Sequence, residues 1–493
     1  MLKKVLWIYV FALLPFCCAG EVELTILQST DLHGTENVAK FAKWIAEERK
    51  ADPELLLVDC GDLTRGTFFA YCDGGASMVS FLNLCKYDVW IPGNHEFRIS
   101  NADFRRNMDL FTSGVVLGAN LKITDPSRAP QRKILPWVML ERKGLRFAVV
   151  GIVAHRYDFW MSAAPYKGVT LIPPQKIMAE TMEEVRREKP DFVILAAHAD
   201  AKDRGHVYRQ YPELVLMLAG HTHREVPARE YAPRHWVVQP QCLGVNMAKI
   251  KLVFDTDKHT VKSVSSEFVR ASELEALPDA EMPRDWIANR KDAEIRSGKP
   301  AVRQPPLPKK AEPAGKMEPA AGAADDSMDS MLSGISEENM ALEQEKMKAP
   351  KRQYRIDPRL FAEAVRKAAG ADAAVIGNVY AFPNNKDFVT EADFFNLVMD
   401  YGVVVLTLTP EQLKTILKEQ GDISLRSSGL DPDKLPEKNL RVAFDAYSAS
   451  GRDGAMPKLQ GIANSGKVSR EDPDVNIRRI CFDFLRERYP AGK

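Results

Sequence analysis

Leu55-Leu56-Leu57-Val58-Asp59-Cys60-Gly61-Asp62 is the stretch on which the reading of this chain turns. Four apolar residues in a row suit a strand buried on both faces, and the run stops abruptly at two carboxylates separated by a cysteine and a glycine. The same grammar recurs along the chain. Val22 to Ser29 alternates and ends at Asp31-Leu32-His33, and Val89-Trp90-Ile91 leads into Pro92-Gly93-Asn94-His95-Glu96. Further on, Phe192-Val193-Ile194-Leu195 runs toward His198, and Leu214 to Leu218 runs into Gly220-His221-Thr222-His223. Helical patterns lie between them: apolar Val38, Phe41 and Ile45 precede charged Glu47 to Lys50, and another pattern spans Met78 to Cys85. Strand alternating with helix predicts an α/β sandwich, and in open α/β sheets ligand sites gather beyond the carboxyl ends of strands. Polar motifs far apart in sequence are therefore expected in one crevice.

At 493 residues the chain exceeds what one hydrophobic core usually supports, and 45% apolar with 27% charged residues is ordinary for a globular protein. Its 68 basic and 67 acidic side chains leave a net charge of +1, so no global field holds a nucleic acid polymer and any phosphate recognition has to be local. Residues 1–20 read as an export signal: Lys3 and Lys4, an apolar run from Val5 to Phe16, and the small-residue site Cys18-Ala19-Gly20. The expected destination is the periplasm or cell surface, with no integral membrane segment after removal of the signal. Lipid attachment at Cys17 or Cys18 is disfavoured by Leu14-Pro15-Phe16, which lacks the small residues that usually precede a lipidated cysteine. Beyond the signal remain Cys60, Cys72, Cys85, Cys242 and Cys481. Their odd number and the lack of a C-x-x-C pattern favour buried thiols, with Cys72 and Cys85 the nearest candidates for a disulfide.

Strand patterns at His235 to Val238 and Met247 to Phe254 close a first domain, residues 21–270, and a helical connector fills 271–298. Residues 299–352 are rich in Pro, Lys, Glu and Ala-Gly and nearly devoid of aromatics, a composition that reads as a disordered linker with a transient helix from Ser336 to Lys348. Residues 353–493 resume an α/β pattern. Helices are expected near Pro358 to Ala369, Glu391 to Met399 and Pro410 to Glu419, and strands at Ala373 to Ile376, Val403 to Leu408 and Leu440 to Tyr447.

Cleavage of a phosphate monoester requires positive charge on the nonbridging oxygens and a water that deprotonates near neutral pH, which two cations about 3.5 to 4 Å apart supply. Such a centre needs mixed oxygen and imidazole ligands. The strand-end motifs offer Asp31, His33, Asp62, Asn94, His198, His221 and His223, and they hold five of the nine histidines in the chain. One such motif alone could serve structure; all of them in this order point to a metal centre.

That order resembles the calcineurin-like metallophosphoesterases, and within them the secreted 5'-nucleotidase family, strongly over residues 25 to about 255 and weakly over 355 to 460. The resemblance implies a four-layer α/β/β/α metallophosphoesterase sandwich with a second, smaller α/β C-terminal domain that selects the substrate. It implies that Asp31, His33 and His223 hold one divalent ion, that Asn94, His198 and His221 hold a second, and that Asp62 bridges them. The mixed ligands are compatible with Zn, Mn, Fe or Co. His95 would stabilise charge on the transferring phosphoryl group or protonate the leaving oxygen. The implied activity is hydrolysis of phosphate esters of nucleotides or related small phosphorylated compounds.

Two departures stand out. Arg98 occupies the position where the family places an acidic partner of the motif histidine; it either contacts phosphate or forms a surface salt bridge. In the C-terminal domain Tyr447 and Asp453 resemble a base-stacking ring and its polar neighbour, and Asn378 maps to the family's Asn-Gly-Gly segment, but the arginine after that segment and the second stacking ring are not evident. Tyr447 could equally pack in the core and Asp453 could equally shape a turn. A 2',3'-cyclic nucleotide phosphodiesterase or a sugar-nucleotide pyrophosphatase would use the same metals. A surface binding or scaffold protein that has lost the chemistry is the alternative of another class.

Overall fold

All four side chains of strand β2 (Leu56–Asp59) are buried, as the uninterrupted apolar run requires. In the computed structural model β2 lies parallel between β1 (Glu21–Ser29) and β3 (Val89–Trp90), and β3 is followed by β4 (Val115–Val116). Strands Asn246–Asp255 and Thr260–Arg270 extend this six-stranded sheet antiparallel beyond β1. The described residues are 20–154, 168–306 and 354–491, the last without 378–379, 381, 383–385, 400, 420–426, 432–433, 436, 451–455 and 474.

A second six-stranded sheet has Phe192–His198 and Leu214–Gly220 in parallel at its centre. The strand Phe192–His198 shows how one segment joins two layers. Phe192, Ile194 and Ala196 enter the core shared by the two sheets, while Val193, Leu195 and Ala197 turn to the other face and pack with Met178, Met182 and Val185 of helix Pro174–Arg187. Residues two apart in a strand share a face, so this alternation is what a strand buried on both sides must show. Helix Val38–Ala51 places Phe41 and Ile45 against the first sheet. The result is the α/β/β/α layering, with the parallel strands of both sheets ending on the same side.

The C-terminal domain has a five-stranded sheet, ordered Ser427–Ser428, Ala373–Val375, Leu440–Asp445, Val403–Leu408 and Arg470–Glu471. Helices Arg359–Ala368 and Ile477–Arg488 cover one face, and Pro410–Glu419 and Pro457–Ala463 the other. Two sequence expectations need correction here. The stretch 299–352 is not linker from its start: Pro300–Arg303 is a strand paired antiparallel with Phe388–Thr390, because Val302 is an apolar side chain that buries completely in the C-terminal core. The rest of that stretch from 307, including the helix expected at 336–348, lies outside the described residues, as does the export signal up to residue 19. The strand expected from Leu440 to Tyr447 stops at Asp445, whose carboxylate accepts hydrogen bonds from the Ser448 amide (2.7 Å) and hydroxyl (2.8 Å) and so starts helix Ala446–Ser450.

The domains meet through side chains. Phe395 packs against Phe68 and Tyr71, and Arg296 donates two hydrogen bonds, of 2.9 and 2.6 Å, to Glu391. The five cysteines among the described residues are free thiols, four of them buried. No helix among the described residues is long and apolar enough to cross a membrane.

Candidate metal centre

Every strand-end motif arrives in one crevice. Asp31 and His33 follow β1, Asp62 follows β2, Asn94 and His95 follow β3, His198 ends its own strand, and His221 and His223 follow Leu214–Gly220. Reaching the crevice bends the backbone. Asp31, His33, Asp62, His221 and His223 all adopt left-handed φ values, between 50° and 78°, that non-glycine residues rarely occupy. Five such residues converging on one point mark a place where conformational strain is spent on geometry.

Their donor atoms form two groups that share a carboxylate. Oxygens of Asp31 and Asp62 and nitrogens of His33 and His223 make one group, and Asp62 with His198 and His221 makes the other. His33 Nε2 is 3.1 Å from His223 Nε2, and His223 Nε2 is 3.3 Å from Asp31 Oδ1. On the other side His198 Nε2 lies 3.2 Å from Asp62 Oδ2 and 3.1 Å from Asn94 Oδ1. Ligand atoms about 2.1 Å from a common cation stand roughly 3 Å from one another, so the spacing fits divalent ions. Asp200, not singled out in the sequence, approaches His221 Nε2 at 3.5 Å.

The imidazoles are held from behind. His33 Nδ1 is 2.9 Å from the Arg65 carbonyl and His198 Nδ1 is 2.6 Å from the Cys60 carbonyl, which leaves each Nε2 facing the centre. Glu96 organises the two carboxylate-bearing loops. Its buried carboxylate accepts from the amides of Asp62 (3.0 Å), Leu63 (2.9 Å), Thr64 (2.9 Å) and Gly93 (2.6 Å) and from the Thr64 hydroxyl (2.9 Å). Gly93 has to be glycine, since a Cβ there would overlap Oδ1 of Asp62. Buried Arg204 donates to the Gly220 carbonyl and to Gln239, both at 2.9 Å, and so fixes the start of the His221–His223 loop. Neither Glu96 nor Arg204 was assigned a task from the sequence, although Glu96 sits inside the quoted motif.

Burial disfavours charge on Asp62, yet the surrounding imidazoles of His198, His95 and His33 outweigh it and hold the carboxyl well below its usual range. Asp31 behaves likewise: burial is overcome by the His223 hydrogen bond and by the nearby imidazoles, and its pKa is about 2. Two of the histidines answer in the opposite sense, whereas at His33 burial outweighs the neighbouring carboxylates and lowers the imidazole. Against the cost of burial, Asp62 raises His198 to about 9, and Asp31 raises His223 to about 11. Two carboxylates held ionised among imidazoles are the charge pattern that a set of metal ligands offers a cation.

His95 differs. It begins the turn His95–Arg98, its amide donates to Asp62 Oδ1 at 2.8 Å, and its Nε2 lies 4.0 Å from Asp62 Oδ2. Burial pushes its imidazole well below the ordinary range; Asp62 opposes this, and the Arg98 guanidinium adds to it. Arg98 Nη1 is 3.4 Å from His95 Nε2, while His95 Nδ1 is buried without a hydrogen-bond partner among the described residues. Arg98 therefore lies beside the histidine, where its charge disfavours imidazolium. Of the three C-terminal residues, Tyr447 stacks on Tyr401 with centroids 5.2 Å apart and planes 11° apart. Asn378 and Asp453 lie outside the described residues.

Residues 24–225 match the family model described as calcineurin-like phosphoesterase. This segment is a calcineurin-like phosphoesterase domain. Among curated relatives, the 5'-nucleotidase of Rattus norvegicus is 24% identical over 304 residues, covering 53% of this chain and 52% of its own length. The protein UshA of Yersinia enterocolitica is 24% identical over 196 residues, 37% of this chain and 35% of its own. The chain thus aligns with about half the length of the 5'-nucleotidases it matches. Among solved structures, a putative 5'-nucleotidase from Staphylococcus aureus superposes with a TM-score of 0.65 at 15% identity, over 94% of this chain and 96% of that one. A 5'-nucleotidase precursor from Thermus thermophilus gives 0.59 at 15% identity, over 95% and 97%. The calcineurin-like phosphoesterase domain and the smaller domain after it therefore share their combined fold with these proteins.

Proposed function

We propose that the chain is an exported phosphoesterase that uses two divalent ions to hydrolyse phosphate esters of nucleotides or related small phosphorylated compounds. The observation that carries this is Asp62, whose carboxylate belongs to both ligand groups. Asp31, His33 and His223 would hold one ion and Asn94, His198 and His221 the other, with Zn, Mn, Fe and Co all suited to these donors. When bound, the pair supplies Lewis acidity toward the phosphoryl oxygens and lowers the pKa of water to about 7.

The chain's own residues do the rest. Glu96 fixes the Asp62 loop, so the shared carboxylate needs no reorganisation during the reaction. His95, kept neutral by burial and by Arg98, is a hydrogen-bonding group toward the phosphoryl oxygens; Arg98 beside it offers a guanidinium fork to the same phosphate. In the second domain Tyr447 is the aromatic group this reading assigns to a nucleobase; it is stacked directly on Tyr401, so a base would lie against the pair and not between the two rings. Asn378 and Asp453 belong to this reading as polar contacts to the nucleoside.

Turnover of AMP compared with a simple aryl phosphate, using protein loaded with each of Mn, Zn, Co and Fe, tests the proposal. Hydrolysis of both, with AMP preferred, is expected. Failure to release phosphate from any ester with all four metals overturns it.

A further inference from the structure

The four imidazoles of the two ligand groups are not held alike. Nδ1 of His33 and of His198 meets a backbone carbonyl, at 2.9 and 2.6 Å, and Nε2 of His223 faces Asp31 at 3.3 Å. Among the described residues no backbone carbonyl stands behind the His221 ring. The His221 amide donates to the two Asp31 oxygens, at 3.3 and 3.0 Å, and its ring meets that of His198 edge-on with centroids 5.0 Å apart. The polar group beside its Nε2 is Oδ1 of Asp200, at 3.5 Å.

The chain delivers Asp200 to that place by a short route. It follows His198 by two residues and stands at the N-cap of helix Ala201–Gln210, yet its side chain does not accept from the first helix amides as a capping aspartate does. The carboxylate lies beside His221 instead, and it belongs to neither group of candidate ligands. One helical turn on, the Arg204 amide donates to the Asp200 carbonyl at 3.1 Å, and the Arg204 guanidinium donates to the Gly220 carbonyl at 2.9 Å and the Thr222 hydroxyl at 3.4 Å. Residues four apart share a helix face, so the start of this helix presents an anion to the His221 ring and a cation to the residues on either side of it.

We infer that Asp200 is a positioning residue for one of the two ions: its carboxylate takes the Nε2–H of His221, which fixes the tautomer of the ring and leaves Nδ1 as its donor atom. This rests on the two-ion reading and adds to it a residue outside the ligand set. An imidazole that gives one N–H to a carboxylate is a more basic ligand through its other nitrogen, and a carboxylate does this more strongly than the carbonyls behind His33 and His198. A formed charge-assisted hydrogen bond measures about 2.7–2.9 Å, so the 3.5 Å gap closes as an ion fixes the ring.

The test titrates Zn, against a competing chelator, into full-length wild-type, Asp200→Asn and Asp200→Ser proteins stripped of metal. Asn keeps an oxygen of the same reach without the charge, whereas Ser caps a helix well but brings no carboxylate to the ring. One ion should bind all three proteins alike. The other should bind Asp200→Ser about tenfold to a hundredfold more weakly than wild type and Asp200→Asn less weakly than that, with thermal unfolding of the metal-free proteins unchanged. Wild-type affinity for both ions in Asp200→Ser overturns the role and leaves Asp200 a helix cap; an equal loss at both ions overturns it as well, since Asp200 approaches the His221 side alone. Ester hydrolysis by the same samples separates this from the proposed function. The expected losses in a protein that cleaves no ester would sustain Asp200 and overturn the hydrolase, and hydrolysis with unchanged affinities would do the reverse. Fewer than two ions on the wild-type protein overturns both.

Discussion

The two domains solve different problems with the same α/β elements. In the calcineurin-like phosphoesterase domain, five expected metal ligands sit in left-handed backbone at strand ends, held by Glu96, Arg204 and carbonyls behind the imidazoles. In the C-terminal domain, among the described residues, no non-glycine residue has positive φ. The stacked pair Tyr401 and Tyr447 is placed there by ordinary strand ends and helices. A metal centre tolerates errors of a few tenths of an ångström poorly and is therefore built on strained, over-determined loops; recognition of a base or a phosphate accepts looser positioning. The strained backbone is thus concentrated in the domain that holds the candidate metal ligands.

The contrast is broken most severely at Asp62. Asp62→Ala removes a ligand from both groups, and phosphatase activity should fall to background with loss of bound metal, measured by elemental analysis alongside turnover. His95→Ala should slow turnover by roughly a hundredfold to ten-thousandfold while two ions stay bound. If that variant loses its metal, His95 is a ligand and its assigned role is wrong. Glu96→Gln leaves a carbonyl and an amide where five donors converge on a carboxylate; metal affinity should weaken by about tenfold to a hundredfold with the fold retained, read by titration with a competing chelator. Unchanged affinity would leave Glu96 with a folding role only.

Metal uptake should also depend on pH with a definite sign. His198 at about 9 and His223 at about 11 carry protons at pH 7 in the metal-free protein, and a bound cation must displace them. Loading therefore releases protons, and affinity rises with pH by up to about tenfold per unit for each proton displaced. Calorimetry in buffers of differing ionisation enthalpy reports the proton count. The smallest effect is expected in the second domain, where Tyr447→Ala should raise KM for AMP by about two- to tenfold relative to an aryl phosphate. Equal changes for both substrates would assign Tyr447 to packing alone.

The strand-end motifs were legible in the sequence because each pairs an abrupt apolar run with polar residues at its end, and the structure brings all seven expected ligands into one crevice. Glu96 and Arg204 were not legible as organisers, since the donors they gather lie on loops far away in the chain and no local pattern announces them. The stacking of Tyr401 on Tyr447 was not legible for a similar reason. Tyr401 sits 46 positions before Tyr447, and only the antiparallel pairing of Val403–Leu408 with Leu440–Asp445 brings the two rings together. The strand at Pro300–Arg303 was hidden by the linker-like composition that follows it, although Val302 alone was enough to anchor it in the core.

Metal content and AMP hydrolysis measured together across a titration of Mn into chelator-treated protein test the two-ion centre most directly. Activity should stay low up to one ion per chain and reach its plateau at two, with Asp62→Ala following neither step. Full metal loading without phosphate release, or a plateau at one ion, would contradict a centre built around a shared Asp62.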